Sequence, residues 1–361
     1  MHRQTFVFLD GIRGIAALLV VMTHAPDFFM IWKNHTYLAV DVFFILSGFV
    51  IALAYENKLV SKELSFFDFV KKRFVRLYPI YFVSLCIAFI LIIVGGYLSG
   101  KNLLLWAGYS AALTAFFIPR HGGAMMFTLN TPYWSLFYEF LVNFLYAAIA
   151  PFLSTRILIL IVLSAGLSLA YISVVNGHLN AGWGNTETHY AAGLSRSIFG
   201  ILMGVLIYRF RNKLIEKISF ISPWFAVLVI VVVLLFPSIP KYNYIYDIFI
   251  VTIIFPLTVL IASQLKESKL DPVLLMLGAA SYPLYVLHYP FIRFTETVSN
   301  AYGYEYIVSD YAPYTGIFLL SFLVILALFM AKFVEMPLRL WLSSYLEQKK
   351  MKRKSATSSA S

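Results

Sequence analysis

Apolar stretches of about 20 residues, the length that a helix needs to cross a bilayer, recur along almost the whole sequence. Hydrophobic residues make up 61% of the 361 positions and charged residues only 12%, whereas soluble proteins carry about 25% charged residues. These proportions exclude a soluble enzyme, a disordered regulator and a DNA-binding domain, and they predict an all-α, polytopic membrane helix bundle. The ten spans that we expect lie near residues 8–26, 38–55, 78–98, 132–151, 156–175, 193–209, 222–238, 244–264, 273–292 and 312–335.

The positions of the basic residues predict which ends of the spans face the cytoplasm. The net charge is +11, from 28 basic and 17 acidic residues, and the basic residues fall in short runs between apolar stretches, as is typical of cytoplasmic loops. These runs share one side only if the apolar segment 102–118 does not cross and is interfacial or re-entrant. We therefore expect a multi-pass protein of a bacterial-type inner (cytoplasmic) membrane with both termini in the cytoplasm. Its partner is the lipid bilayer rather than nucleic acid.

Residues 1–345 have the pattern of a single transmembrane unit, without repeats or a second soluble domain. Residues 346–361 are polar and basic, and we expect a disordered cytoplasmic tail held near anionic headgroups. The single cysteine, Cys86, excludes an internal disulfide and a thiolate metal cluster. No metal site is predicted.

Three titratable residues in the first span share one helical stripe. Arg13 and His24 are eleven residues apart, which leaves an offset of about 20° after three turns and separates them by about 16 Å along the axis. Asp10 lies on the same stripe. Because a charge inside a bilayer is costly, this stripe should face the protein interior and is a candidate functional site. The alternatives are that Asp10 and Arg13 are interfacial residues and that His24 only forms an interhelical hydrogen bond.

Two carboxylates are candidate partners for His24. Asp41 begins the second span at the end that we expect to lie level with His24, and Glu139 shares a face with Ser135 near the start of a later span. A buried carboxylate can orient a histidine that acts as a general base. The alternatives are a helix-terminal carboxylate favoured by the macrodipole for Asp41 and a structural polar contact for Glu139.

Paired arginines occur in the basic segment FVKKRFVRLYP, which follows the second span. Arg73 and Arg76 are three residues apart and share a helical face. Two guanidinium groups on one face suit phosphate, because each can bind oxygen atoms bidentately. The alternative is a basic cluster that only fixes the orientation of the protein in the membrane.

Two further motifs lie near the end of the chain. The ninth span contains SYPLYVLH, which places Ser281, Tyr285 and His288 on one helical face. The last span ends in FVEMPLR, where we expect Pro337 to stop the helix and Glu335 to pair with Arg339 in a structural role.

Together these segments resemble the acyltransferase-3 family of integral membrane O-acyltransferases. Six segments carry the resemblance, in the family's order: LDGIRGIAALLVVMTH (9–24), VDVFFILSGFVI (40–51), FVKKRFVRLYPIY (69–81), WSLFYEF (134–140), LGAASYPLYVLH (277–288) and FVEMPLR (333–339). The resemblance implies transfer of an acyl group, usually acetyl, from cytoplasmic acetyl-CoA to a hydroxyl of an extracytoplasmic saccharide or glycan. Acyl-CoA is then a donor co-substrate and not a permanently bound cofactor.

The resemblance also implies roles for individual residues. Arg13 and His24 match an essential pair in the family's first span. The catalytic residues that we expect are His24, Glu139 and Asp41. The acyl-CoA-binding residues that we expect are Arg13, Arg73 and Arg76. Weaker candidates for substrate binding are Trp134, Ser135, Tyr285 and His288.

His24 either removes the proton from a sugar hydroxyl or carries the acyl group itself. The main alternative function is a secondary transporter that exports a glycan or a small acyl metabolite. Transporters often contain inverted repeats with helices broken at matching positions, and the sequence shows no such repeat. The residue pattern therefore favours the acyltransferase over the transporter.

Overall fold

The computed structural model describes residues 6–30 and 33–358, with side chains as far as residue 349. Over these ranges the chain is helical and contains no β-strand, which confirms the predicted fold class. The helices are α1 (Val7–His24), α2 (Pro26–Phe29), α3 (Ala39–Val60), α4 (Phe66–Leu98), α5 (Leu104–Ala115), α6 (Tyr133–Ile149), α7 (Thr155–Asn176), α8 (Glu187–Ile218), α9 (Pro223–Leu235), α10 (Asn243–Phe249), α11 (Phe255–Ala262), α12 (Asp271–Ala301), α13 (Glu305–Asp310), α14 (Tyr314–Met330) and α15 (Met336–Ser358). Two π-helical turns, Ile250–Ile254 and Ala331–Glu335, join α10 to α11 and α14 to α15.

Eight helical segments among the described residues are long and apolar enough to cross a membrane, and each corresponds to a predicted span. They are Val7–His24, Thr36–Val60, Phe66–Leu98, Tyr133–Phe152, Thr155–Asn176, Glu187–Ile218, Asn243–Ala262 and Tyr314–Lys349. The other two predicted spans differ. The segment 222–238 forms α9, whose 13 residues extend only about 20 Å. The segment 273–292 lies in α12, which has 31 residues but is less apolar because of its prolines, tyrosines and histidine.

The ambiguous segment 102–118 forms the short helix α5. Its 12 residues extend about 18 Å, which is shorter than the hydrocarbon core of about 30 Å. This length agrees with the prediction that the segment does not cross the membrane by itself.

The first helix packs against α12, and this contact positions both candidate polar faces. Gly14 permits the close approach, since a Cβ atom there would lie 2.5 Å from the Cβ atom of Leu277. Arg13 and His24 both contact side chains of α12 across this interface. The predicted stripe on α1 therefore faces the protein interior and not lipid.

A second close contact joins α3 to α8. Gly48 faces α8, where a Cβ atom would collide with the carbonyl group of Ile201. The adjacent Ser47 points away from this contact and donates a hydrogen bond to Glu139 on α6. The Ser-Gly pair thus lets α3 contact α8 closely on one side and supply a polar side chain to a cavity on the other.

The end of the chain differs from the prediction. Pro337 does not stop the last span, because α14 continues through the π-turn Ala331–Glu335 into α15. In a π-turn the backbone hydrogen bonds run from i to i+5 and not from i to i+4. Pro337, the second residue of α15, has no N–H group, and the preceding π-turn requires no α-helical hydrogen bond from it. The backbone of residues 346–358 continues α15, where we had expected disorder. Residues 359–361 lie outside the described residues, and the proposed division of the chain at residue 345 stays a prediction.

Candidate active site

A cavity of about 220 Å³ opens between α1, α3, α4, α6, α12 and the start of α15. We call it the arginine cavity. Four arginines and two glutamates line it, an excess of two positive charges, and most of the remaining wall is aliphatic or aromatic. These charged residues are Arg13, Arg73, Arg76, Arg339, Glu139 and Glu335. The cavity therefore brings together the three arginines that the sequence predicted as acyl-CoA ligands, although they come from two separate helices.

Arg73 is held in the cavity wall by Glu139. The buried Arg73 guanidinium donates to the Glu139 carboxylate at 2.8 Å, and Ser47 Oγ donates to the same oxygen atom at 2.7 Å. This arrangement differs from the expected contact between Glu139 and His24. The reason is that α6 begins at Tyr133, so Glu139 lies six residues, or about 9 Å, along the helix and level with the arginines.

Arg13 and Arg76 differ in how they are held. Arg13 donates to Asp10 at 2.6 Å and, through Nε, to Ser281 Oγ at 3.0 Å, so its guanidinium group is fixed across the α1–α12 contact. Arg76 is half-buried and makes no hydrogen bond or ion pair with any residue that the structure describes. An unpaired guanidinium group on a cavity wall is well placed to bind an anion.

A second cavity, of about 270 Å³, lies beside His24 at the other end of α1. We call it the histidine cavity. Its wall is rich in aromatic and uncharged polar side chains, which include His24, Thr131, Trp134, Asn180, Trp183 and Tyr289. Aromatic walls with a few polar groups are typical of sites that bind small molecules. Trp134 and Tyr285, two of the weaker candidates for substrate binding, line this cavity.

The two cavities share part of their walls. Val40 of α3 and Tyr285 of α12 line both of them. The hydroxyl of Tyr285 lies 2.6 Å from Ser135 Oγ, and each oxygen atom lies 3.1 Å from the carbonyl of Pro132, so one hydroxyl donates to the other and the second donates to the carbonyl. These bonds fix Tyr285 at the start of α6, so a group that passes from one cavity to the other must pass this side chain.

His24 contacts a second histidine. Its Nδ1 atom lies 3.0 Å from the carbonyl of Val20 and 3.3 Å from Nε2 of His288 on α12. The His288 side chain is completely buried and lines neither cavity. The structure therefore does not support a direct substrate contact for His288 and places it behind His24 instead.

Asp41 forms a buried ion pair with Arg196 on α8, not the expected contact with His24. Arg196 donates to both Asp41 oxygens, at 3.0 and 2.7 Å, and to the carbonyls of Ala181 and Tyr37 at 2.6 and 3.0 Å. The guanidinium carbon also lies 5.2 Å from the ring centre of Trp134, within range of a cation–π contact. Each donor nitrogen of Arg196 therefore has a partner, and the pair supports the wall of the histidine cavity.

Sequence reasoning missed two members of this buried polar group. Arg196 lies inside the predicted span 193–209, and a charge within an apolar segment was a sufficient signal to find it. Asp247, inside the predicted span 244–264, accepts a hydrogen bond from the hydroxyl of Tyr37 at 2.8 Å and another from the backbone N–H of Leu179 at 2.7 Å. These bonds join the start of the second span to the 177–186 loop beside the histidine cavity.

The long apolar helices define a polytopic membrane protein, and the arginine cavity and the adjoining histidine cavity lie between these helices. Residues 6–331 match the family model described as an acyltransferase domain. The chain therefore belongs to the acyltransferase-3 family, which confirms the resemblance seen in its motifs.

Several curated proteins are similar to this chain. "Protein 2 in picA locus" of Rhizobium radiobacter is 40% identical over 158 residues, which cover 40% of this chain and 82% of that protein. The O-acetyltransferase OatA of Staphylococcus aureus is 23% identical over 92% of this chain and 57% of its own length. The putative peptidoglycan O-acetyltransferase YrhL of Bacillus subtilis is 37% identical over 82 residues, 22% of this chain and 12% of its own. The chain thus spans little more than half of the OatA protein, and no solved structure matches it.

Proposed function

We propose that this protein is an O-acyltransferase that moves an acyl group, most often acetyl, from cytoplasmic acyl-CoA to a hydroxyl of an extracytoplasmic saccharide or glycan. The observation that carries the proposal is the pair of cavities, one lined by four arginines and the other by His24 and mainly aromatic side chains, that share Val40 and Tyr285 in their walls. A positively charged cavity suits an anionic donor, and an aromatic cavity with a histidine suits a neutral hydroxylic acceptor. OatA, named an O-acetyltransferase, and YrhL, named a putative peptidoglycan O-acetyltransferase, support the choice of acetyl, and the name of YrhL supports a glycan acceptor.

The donor binds in the arginine cavity. The phosphates of acyl-CoA contact Arg76, the arginine without a described partner, while Arg73 and Arg13 supply positive charge from positions fixed by Glu139 and Asp10. The thioester then lies towards Tyr285, on the apolar part of the wall. The charge of the nucleotide thus stays near one membrane face while the acyl group reaches the wall shared with the histidine cavity.

The acceptor binds in the histidine cavity. Trp134, Trp183 and Tyr289 offer aromatic faces for a sugar ring, and Asn180 and Thr131 offer hydrogen bonds to its hydroxyls. In the direct form of the reaction, the hydroxyl oxygen attacks the thioester carbonyl as His24 takes its proton. The C–S bond then breaks and the thiolate recovers the proton from His24, which leaves an ester, a thiol and a regenerated imidazole.

The direction of transfer follows from the proposed orientation. The basic residues near the start of α4 and near the ends of α8 and α15 favour a cytoplasmic location for the side of the bundle that carries the arginine cavity. His24 is about 16 Å further along α1, towards the opposite side. The proposal therefore places the donor on the cytoplasmic side and both termini in the cytoplasm of a bacterial-type inner membrane.

The proposal is tested with inside-out vesicles from cells that express the protein and from cells without its gene. Vesicles that contain the protein should convert labelled acetyl-CoA into an alkali-labile ester on the glycan fraction, and the control vesicles should not. Accumulation of an unmodified labelled solute inside the vesicles would instead identify a transporter. Equal ester formation in both preparations would also contradict the proposal.

Replacement of Arg76 by alanine should raise the KM for acetyl-CoA by about 10- to 100-fold with little change in kcat, because a hydrogen bond to a charged group contributes about 1.5–3 kcal/mol. Steady-state kinetics of the vesicle reaction measure both constants. Lys213→Ala is the matched control, since Lys213 is an exposed basic residue on α8 that does not line the cavity. With acetyl-pantetheine, which lacks the nucleotide phosphates, the wild type and Arg76→Ala should have the same KM. A persistent difference would contradict phosphate binding by Arg76.

A further inference from the structure

The contacts of His24 and His288 determine which ring nitrogen carries a proton. Nδ1 of His24 faces the carbonyl of Val20 at 3.0 Å, and Nδ1 of His288 faces the carbonyl of Leu284 at 3.2 Å. A carbonyl oxygen accepts hydrogen bonds but donates none, so in each neutral ring the proton must be on Nδ1. Each histidine thus has its tautomer set by the carbonyl four residues earlier in its own helix.

This assignment leaves one lone pair directed from His288 to His24. With its proton on Nδ1, His288 has an unprotonated Nε2, which lies 3.3 Å from Nδ1 of His24. This nitrogen can therefore accept a hydrogen bond from the same His24 N–H group that faces Val20. The ring centres are 5.0 Å apart and the planes are inclined by 60°, so the rings are not stacked. The remaining nitrogen of His24, Nε2, is then unprotonated and free to accept a proton or an acyl group.

The structure gives His24 no carboxylate partner among the described residues. The two carboxylates that the sequence suggested are paired elsewhere, Asp41 with Arg196 and Glu139 with Arg73. A catalytic histidine normally needs an acceptor on its second nitrogen, which fixes the ring and stabilises the imidazolium that forms when the first nitrogen takes a proton. Here that acceptor is a buried imidazole on α12 together with a backbone carbonyl.

We propose that His288 is the positioning residue for His24, holding its Nδ1–H so that Nε2 faces the histidine cavity as the reacting nitrogen. The role of His24 in transfer rests on the proposed function, whereas the tautomer does not. During the reaction His288 keeps its own proton on Nδ1, and only Nε2 of His24 gains and loses a proton. His288 therefore acts through His24 and does not touch the substrate.

The tautomer is tested on the intact wild-type protein in detergent, without any substrate. Histidine labelled with ¹⁵N allows the two ring nitrogens to be distinguished by their couplings to the ring carbon-bound protons, and His24→Ala identifies the signals of His24. At about pH 8.5, where an ordinary imidazole is neutral, His24 should carry its proton on Nδ1. A proton on Nε2 would overturn the proposal, whatever the protein is found to catalyse.

The kinetic test compares His288→Gln with His288→Leu. The amide oxygen of glutamine can replace Nε2 as the hydrogen-bond acceptor, whereas leucine has a similar volume and accepts none. We expect His288→Leu to lower kcat by about 10²-fold or more, as loss of a histidine's orienting partner does, and His288→Gln to retain most of it. The KM for acetyl-CoA should stay the same in both.

Two results would contradict the positioning role: equal kcat values for the two variants, or a rise in KM without a fall in kcat. Thermal unfolding of both variants shows whether leucine only disturbs the fold. If it does, the tautomer measurement on the wild type can still overturn the positioning role, because a proton on Nε2 would leave His288 no N–H of His24 to accept. If the wild type transfers no acyl group, the proposed function is wrong. The ¹⁵N measurement still tests the position of the proton on His24, because it needs no substrate.

Discussion

Replacement of His24 by alanine is expected to lower the rate of acyl transfer by about 10²- to 10⁴-fold, the usual contribution of a positioned general base. No other histidine lines either cavity among the described residues, and the nearest one, His288, is buried behind it with its free nitrogen turned towards His24. A water molecule in the vacated space can accept a proton only weakly. The measurement is the initial rate of ester formation from labelled acetyl-CoA at saturating donor.

His121→Ala is the matched control for this variant. His121 is exposed and lines neither cavity, so its loss should leave the rate unchanged. The His24 side chain is half-buried on a cavity wall, and the variant should therefore enter the membrane and unfold near the wild-type temperature. Full activity of His24→Ala in correctly inserted protein would refute the assignment of this residue.

The helical faces of the site were predictable from the sequence. The 3.6-residue period places Arg13 and His24 on one side of α1, and Ser281, Tyr285 and His288 on one side of α12. In the structure these two faces meet, since Arg13 bonds to Ser281 and His24 contacts His288. The cost of an unpaired charge in lipid was sufficient to predict that the α1 face is turned inwards.

The partners of the charged residues were not predictable in the same way. Arg73 pairs with Glu139 across 66 positions of sequence, and Asp41 pairs with Arg196 across 155. Periodicity gives the face of a helix but not the helix that the face contacts. That neighbour depends on the packing of the whole bundle, including the close approach of α3 to α8 at Gly48. The assignment of both carboxylates to His24 failed for this reason.

The end of the last span shows a second limit of sequence patterns. A proline within a helical segment normally ends or kinks the helix, and Pro337 was interpreted in this way. The π-turn that precedes it spans Ala331–Glu335, and the periodicity of the sequence does not predict such a turn there. In contrast, the pair Glu335–Arg339 follows directly from the four-residue spacing, and the structure confirms it at 3.5 Å.

Replacement of Asp41 by alanine should lower the free energy of unfolding by about 3–5 kcal/mol, the usual cost of leaving one member of a buried ion pair without its partner. Both side chains are only 1% exposed, so water cannot replace the lost carboxylate oxygens around Arg196. The unfolding of purified protein in detergent, followed by tryptophan fluorescence, measures the loss. Trp134 lies against the Arg196 guanidinium and reports on this region directly.

Two further variants separate the buried charge from other effects of the substitution. Arg293→Ala breaks the surface ion pair between Arg293 and Glu296, in which the arginine side chain is 59% exposed. This variant should change the free energy of unfolding by at most about 1 kcal/mol.

The double variant Asp41→Leu with Arg196→Met removes both charges. It should recover much of the stability lost in Asp41→Ala, because apolar side chains of similar volume often replace a buried ion pair without cost. If the double variant is less stable than Asp41→Ala, the loss comes from packing around α3 or from the two carbonyl groups that Arg196 holds, and not from an unpaired charge. Because Arg196 also holds the carbonyls of Tyr37 and Ala181 beside the histidine cavity, both Asp41 variants should weaken acceptor binding and leave the KM for acetyl-CoA unchanged.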